Sequence, residues 1–448
     1  MLTRFAPSPT GFLHIGNVRT ALICYLLAKK QGGKLLLRID DTDTERSKEE
    51  YVDAIKVDLE WLGINWDMFA RQSERIANYN AAIEKLKSAG RLYPCYETEQ
   101  ELEIKRKMQL SRGAPPIYDR EGLKLTDTKR KELEAQGKKP HWRFELKGEI
   151  RSWIDDIKGT VKYDLSNLSD PILVREDGTF TYMLPSVVDD GDFQITHVVR
   201  GEDHLTNTAV QIQLFEALDY LGKNKIPLSF AHIALIKTAE GKLSKRLGSA
   251  NVQGLREAGM EPMAINSFLA KVGTSDPVEM RATMAELVAE FDVNKFNRAP
   301  TLYALEDIER LNSKLVHTMP FDKALPKLKA LGLTGVDEAF WLSVRANLEH
   351  IEDVKEWWNI CREQMKNAVD EKDFALEAAA LLPEGKWDET TWGQWTKAVT
   401  EKTGRKGKEL FMPIRKALTG MEHGPELKVL LPLIGRERAE KRLKGEAA

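Results

Sequence analysis

The stretch "RFAPSPTGFLHIGN", Arg4 to Asn17, constrains this chain more than any other. A short apolar run, Leu2 to Phe5, precedes it. A helical pattern follows from about Gly16 to Lys30, with Val18, Ala21, Leu22, Tyr25 and Leu26 on one face and Gly32 with Gly33 as the stop. Next, "KLLLRI" reads as a strand buried on both faces, and Ser47 with Glu50 forms a capping-box pattern for a helix bearing Tyr51, Ile55, Leu59 and Leu62. Strand, helix, strand and helix in that order imply a right-handed crossover and a doubly wound parallel sheet. The loop after the first strand then leads into a helix N-terminus, whose free N–H groups and positive dipole attract anions. Two prolines stiffen that loop, Gly11 and Gly16 permit close approach, and His14 could hydrogen-bond a phosphate oxygen. A plain turn capped by a histidine would account for the same residues.

From about residue 81 to 186 the pattern changes to a charged helical stretch, Pro115 with Pro116, and short strand-like runs such as "HWRFEL", which reads as an insertion. Strand character returns at "FQITHVVRGEDHL", a helix carrying Val210, Leu214, Phe215 and Leu218 follows, and "SFAHIALI" reads as a further strand. Beyond Asn251 the pattern is helical, with loops at Gly273 to Pro277 and around Pro320. At 448 residues the chain has room for about three domains. Composition, 42% hydrophobic and 30% charged, excludes a disordered chain, and no apolar run approaches a transmembrane length. The N-terminus lacks a basic stretch leading into an apolar one, and three scattered cysteines argue for a reducing compartment, so a cytoplasmic enzyme is expected. Net charge is −2, but it is unevenly spread. Between Asp337 and Glu389 there are 14 acids against 6 Lys or Arg, whereas Glu401 to Ala448 has 12 Lys or Arg against 7 acids. The basic end could meet phosphates or form a solvated helical surface.

A second constellation, "KLSKR" from Lys242 to Arg246, has "TAEG" before it and Gly248 after it. Three cations in five residues could close over phosphates or form a solvated turn. No Walker loop and no Gly-x-Gly-x-x-Gly after the first strand is present. Together, however, the two loops resemble the paired signatures of class I aminoacyl-tRNA synthetases. The longer strings "RFAPSPTGFLHIGNVRTAL", "LLRIDDTD", "VVRGEDHLTNTAVQ" and "KLSKRLGS" resemble the bacterial glutamyl-tRNA synthetases within that class. The likeness runs on through "FNRAPTLY", "RLNSKLV", "ALTGMEHGPEL" and "LPLIGRERAEKRL", so it spans essentially the whole chain.

The resemblance implies an α/β fold: a Rossmann-type parallel sheet over 1–80 and 187–222, with an inserted α+β domain over 81–186 that binds the acceptor end. A stem-contact region carrying the KLSKR loop follows over 223–312, then all-α anticodon-binding modules over 313–448. It implies glutamate contacts at Arg4, Ser8, Asp40, Tyr182, Ser186 and Arg200, ATP contacts at His14, Gly16, Asn17, Lys242, Ser244 and Lys245, and catalytic roles for His14, Lys242 and Lys245. Two arginines and an acid complement the two carboxylates and one ammonium of glutamate. Lys245 is the leading candidate for stabilising charge on the transferred adenylyl phosphate. ATP with Mg²⁺ is the implied cofactor set; tRNA(Glu), with tRNA(Gln) left open, and L-glutamate are the implied partners; no membrane is involved, and a monomer is expected. Arg405, Lys406, Lys408, Arg415 and Lys416 are candidate RNA contacts as a group.

Three departures stand out. "RIDDTD" replaces the usual "RIEDTD", so Asp40 offers a shorter carboxylate to the substrate ammonium. Ser186 stands where relatives often have asparagine. Zinc-binding relatives carry Cys-x-Cys then Tyr-x-Cys, where this chain has Cys95, Glu97, Tyr118 and Arg120, so no structural zinc is expected. An enzyme glutamylating a tRNA base, or a small-molecule adenylyltransferase, would share the catalytic part without needing the helical half. A silent RNA-binding paralogue would not need His14, Lys242 and Lys245.

Overall fold

The computed structural model describes residues 1–221, 225–238, 251–365 and 369–448. They form two compact units, Met1–Glu257 with Asn266–Leu305, and Ala258–Ile265 with Glu306–Ala448.

In the first unit the elements run β1 (Leu2–Phe5), α1 (Ile15–Lys30), β2 (Lys34–Ile39), α2 (Glu49–Trp61), β3 (Met68–Arg71), α3 (Ile76–Ser88) and β4 (Leu92–Cys95). There follow α4 (Glu99–Ser111), α5 (Glu121–Lys124), α6 (Asp127–Ala135), β5 (His141–Phe144), β6 (Ile150–Asp155), β7 (Gly159–Asp164) and β8 (Ile172–Val174). Then come α7 (Met183–Asp192), β9 (His197–Gly201), α8 (Leu205–Ala217), β10 (Ser229–Ile233), β11 (Ile236–Thr238) and β12 (Thr301–Tyr303). The main sheet has the order β3-β2-β1-β9-β10-β6-β7, parallel except for the β6–β7 hairpin. Strand order therefore reverses direction between β1 and β9. Such a switch point opens a crevice at the carboxyl ends of the strands, where ligands of doubly wound sheets bind.

Several local expectations are revised by packing. Helix α1 buries Ile23, Cys24, Leu27 and Ala28 as well as the expected face, because the sheet covers one side and the helix Met284–Glu290 another. The cap of α2 is Lys48, with no side-chain hydrogen bond, so Ser47 and Glu50 do not form the expected box. "SFAHIALI" breaks into β10 and β11, and β11 pairs in parallel with β12, a strand within the stretch read as helical. Strands β6 and β7 lie in the inserted segment by sequence but extend the main sheet, because β6 pairs with β10 through Asp155 and Phe230. The separate sheet β4-β5-β8 is antiparallel. One apolar cluster, including Leu36, Val198, Ile212 and Phe230, lies under the sheet, and another joins α3, α7 and α8 to the small sheet through Tyr79, Phe144, Leu184 and Phe215.

The second unit is helical, from the segment beginning at Leu305 to Arg436–Leu443. Its interior includes Trp341 and Trp395, whose indole N–H groups donate to the carbonyls of Met319 and Ala378 at 2.9 and 2.8 Å. Fully buried Arg442 donates to the carbonyls of Ile360 (2.8 Å) and Leu418 (2.9 Å), near the ends of two helices. No described helix is long and apolar enough to cross a membrane.

Candidate active site

A cleft of about 680 Å³ opens at the switch point. It brings together Arg4, Ser8, His14, Gly16, Asn17, Asp40, Tyr182 and Arg200, contributed by β1 and its loop, the end of β2, the start of α7, and β9. A neighbouring cavity of about 260 Å³ shares His14, Gly16, Thr20, Gly201 and Leu235 with it, and Ile233, Ala234, Ile236 and Tyr303 add apolar wall. Lys242, Ser244 and Lys245 lie outside the described residues.

The first loop is held by its neighbours as well as by its prolines. The Pro7 carbonyl accepts from Asp40 N (3.0 Å), and the Pro9 carbonyl from Lys48 N (3.1 Å). His14 is the N-cap of α1: its Nδ1 accepts from Gly16 N (3.1 Å) and Asn17 N (3.4 Å), while the Asn17 side chain accepts from His14 N (3.4 Å). Because Nδ1 is an acceptor, the proton of the neutral ring sits on Nε2, which becomes a donor. Desolvation lowers the His14 pKa, which favours that neutral form. Gly16 is required here, since a Cβ would come within 2.9 Å of the imidazole Cε1.

Beneath the cleft is a buried charge network that sequence reading reached only in part. Arg38 makes a bidentate pair with Asp40 (2.7 and 3.1 Å) and bonds Asp190 (2.8 Å), which also accepts from Arg4 Nε at 3.2 Å. Asp189 accepts from Arg75 (2.6 Å), Gln72 (3.0 Å) and Tyr79 (3.0 Å). Arg38, Asp189 and Asp190 were not candidates. Their only signal was the density of acids in "RIDD" and "VVDD", whose partners are far apart in the chain. Asp40 does face the cleft, but Arg38 already holds it. Burial raises its pKa to about 6 despite the Arg38 charge.

Arg200 differs from Arg4. Both would pass for surface cations on composition alone, yet both are buried, at 5% and 4% exposure. Asp190 neutralises Arg4, but Arg200 has no carboxylate partner among the described residues. Its Nη1 donates to Tyr182 Oη (3.1 Å), its Nη2 to Thr208 Oγ1 (2.5 Å) and Gln211 Oε1 (2.6 Å), and its Nε is buried without a partner. Burial lowers its pKa, an effect that Tyr182 and the Asp190 charge only partly offset. A buried, polar-tethered guanidinium at a cleft can take up an anion. Ser186 is not part of the cleft wall: it is 1% exposed on α7, and its unpartnered hydroxyl ends below the surface, which a longer asparagine would reach further toward.

The positions compared with a zinc site do not behave as a ligand set. Arg120 donates instead to Asp170 (2.9 Å) and the Leu146 carbonyl (2.7 Å). Tyr118 donates its hydroxyl toward Glu97 Oε1 (2.8 Å) and lies 3.3 Å from Cys95 Sγ. His141, which sequence spacing did not signal, joins Cys95 and Glu97 with ligand atoms all within 4.8 Å, and its Nε2 and Glu97 Oε2 are buried without partners. Burial pushes the Cys95 thiol up to about 11, while the Arg143 charge acts to lower it. A structural zinc takes four ligands, and the fourth of the compared positions is Arg120, which cannot ligate.

Among the basic residues of the second unit, Arg405 pairs with Glu371 (2.5 Å), Lys416 with Glu422 (2.7 Å), and Arg415 donates to the Pro425 carbonyl (2.9 Å). Lys406 and Lys408 are exposed.

A switch-point cleft that pairs a helix-capping histidine with buried arginines suits a nucleotide beside an anionic substrate. The family model for the catalytic domain of class I tRNA synthetases (E and Q) matches residues 1–310, and that for an anticodon binding domain matches residues 350–446. The chain is 53% identical to glutamate–tRNA ligase 1 of Maricaulis maris, over 99% of each chain, and 53% identical to glutamate–tRNA ligase of Azospirillum brasilense, again over 99% of each. The crystal structure of a glutamate tRNA ligase from Elizabethkingia meningosepticum in complex with its amino acid superposes with a TM-score of 0.86 at 27% identity, covering 99% of this chain and 98% of that one. The chain belongs to the glutamate–tRNA ligase family.

Proposed function

We propose that the chain joins L-glutamate to the 3′ end of tRNA(Glu) in two steps, with glutamyl-adenylate between them. The observation that carries the substrate assignment is the buried Arg200, which has no carboxylate hydrogen-bonded to it among the described residues. It supplies a counter-charge for the side-chain carboxylate, while Arg4 and Ser8 meet the remaining polar groups and Asp40 the ammonium. The glutamate α-carboxylate attacks the α-phosphate of ATP in line and pyrophosphate leaves, so no protein nucleophile is needed. Catalysis rests on positioning and electrostatic stabilisation. His14 Nε2–H donates to a phosphate oxygen, Gly16 and Asn17 frame the turn, and the apolar neighbouring cavity suits the adenine ring.

Lys242 and Lys245, with Ser244, complete the phosphate contacts. The support on that side is that Val252 N donates to the Leu13 carbonyl (2.9 Å) and Asn251 bridges to His14 just beyond the KLSKR segment. The cleft offers no cluster of three acids among the described residues, so Mg²⁺ would ride on the triphosphate, where it neutralises charge on the leaving group. The 2′-hydroxyl of the terminal adenosine then attacks the glutamyl carbonyl, the acyl–phosphate bond breaks, and AMP leaves while the hydroxyl proton is released. Residues 1–80 with 187–222 carry the chemistry, 81–186 the acceptor end, 223–312 the stem contacts and 313–448 the anticodon, with Lys406 and Lys408 the accessible members of the basic group. The enzyme acts as a cytoplasmic monomer without structural zinc.

Glutamate-dependent exchange of pyrophosphate into ATP, with and without tRNA, tests the reaction: no exchange under either condition would leave only a silent paralogue. Charging of purified tRNA(Glu) and tRNA(Gln) as separate substrates decides whether both are accepted. Metal analysis of the purified chain should find no stoichiometric zinc; one equivalent per chain would reverse that reading.

A further inference from the structure

Arg200 is held by more than its direct partners. Thr208 Oγ1, which accepts from Arg200 Nη2 at 2.5 Å, lies 2.7 Å from His232 Nε2, and His232 Nδ1 lies 2.5 Å from Asp155 Oδ2. Thr208 and His232 are 0% exposed and Asp155 2%. The other Asp155 oxygen accepts three backbone N–H groups, from Ile157 (3.1 Å), Lys158 (2.9 Å) and His232 (3.1 Å), which fixes the carboxylate in place.

We propose that Asp155, His232 and Thr208 form a buried relay that positions the Arg200 guanidinium for the substrate carboxylate, a role that rests on the reading of Arg200 as the glutamate receptor. The polarity follows from the donor and acceptor inventory. Asp155 can only accept, so His232 carries its proton on Nδ1 and leaves Nε2 as an acceptor. The Thr208 hydroxyl must then donate to Nε2 rather than to the His204 carbonyl at 3.2 Å. Its oxygen lone pairs are thereby aimed at Arg200, and one guanidinium nitrogen is pinned. Burial lowers the His232 pKa, and its hydrogen bond lowers that of Asp155, consistent with a neutral ring on an ionised carboxylate. Asp155 stands on β6, in the inserted segment, and β6 pairs with β10, which bears His232. The extension of the main sheet by β6 therefore delivers a carboxylate to the core behind the cleft.

All three are positioning residues, tested by kinetics on the whole chain with tRNA present. Thr208→Val keeps shape and removes the hydroxyl; KM for glutamate should rise about tenfold, as for one lost hydrogen bond to a charge, with KM for ATP within twofold. Thr208→Ser should restore the wild-type value. Asp155→Asn keeps the acceptor for the three N–H groups but turns a donor toward His232, reversing the ring tautomer. It should reproduce the glutamate-specific rise. Unchanged glutamate KM in both Thr208→Val and Asp155→Asn, while Arg200→Lys raises it, would overturn the relay alone. Unchanged glutamate KM in Arg200→Lys would overturn the reading of Arg200 instead. Equal rises for glutamate and ATP in folded variants would reduce the three residues to general packing.

Discussion

Arg200 is a buried cation without an acidic partner among the described residues, and stability and binding pull against each other there. Arg200→Met should leave the unfolding free energy within about 1 kcal/mol of wild type, because removing a desolvated charge offsets the loss of the donor to the buried Thr208 and Gln211 oxygens. The same variant should raise KM for glutamate by roughly 100-fold or more, since a charge-assisted pair is lost. Thermal melts and exchange kinetics on one preparation measure both. Asp40 gives a second residue-scale prediction. Its native pKa is raised from 3.8 to about 6, so its stabilising contribution is fully present below the ordinary value and is lost as pH rises through about 6. Ammonium binding needs the ionised form, so function has the opposite sign: glutamate KM should climb as pH falls below about 6, while ATP KM does not follow it. Neither property was legible in sequence. The motif implied which residues belong together, but burial and the choice of counter-ion depend on atoms far along the chain.

At the scale of elements, the loop between β1 and α1 caps the helix through His14 Nδ1, and leaves Nε2 as the donor that we propose for phosphate. The two roles can be separated. His14→Asn retains a good N-cap and should change stability by less than about 0.5 kcal/mol, whereas it loses the Nε2 donor and should slow exchange by about 100-fold. If exchange survives at wild-type rate, His14 is only a cap. Gly16→Ala should damage both, since its Cβ would strike the ring. Most of this was readable, because strand, turn chemistry and helix period are local. The breadth of the buried surface of α1 was not. The helix Met284–Glu290 covers its second side and comes from a distant part of the sequence.

For the molecule as a whole, two compact units divide the chain, and each buries at least one guanidinium. In the second, Arg442 donates to the carbonyls of Ile360, Leu418 and Glu363, at or beside helix ends, and to the Ala448 oxygen. Arg442→Ala should cost about 3 kcal/mol, seen as a lower unfolding midpoint, because several buried acceptors lose their donor together. A variant melting like the wild type would mean that the neighbouring helices close over the gap. By itself the sequence determined the parallel sheet, the position of the first loop, the helical second half and the family, since periodicity, turn residues and motif strings are written along the chain. Only the tertiary structure decided that β6 joins the main sheet, that Asp190 neutralises Arg4 while no described acid does so for Arg200, and that His141 joins Cys95 and Glu97. Those are contacts between distant segments, and which charges end up paired is set by how elements pack, not by any local pattern. The loop from Arg4 to Asn17 needs both accounts: its chain conformation is local, but the cleft it lines exists only because β9 comes to lie beside β1.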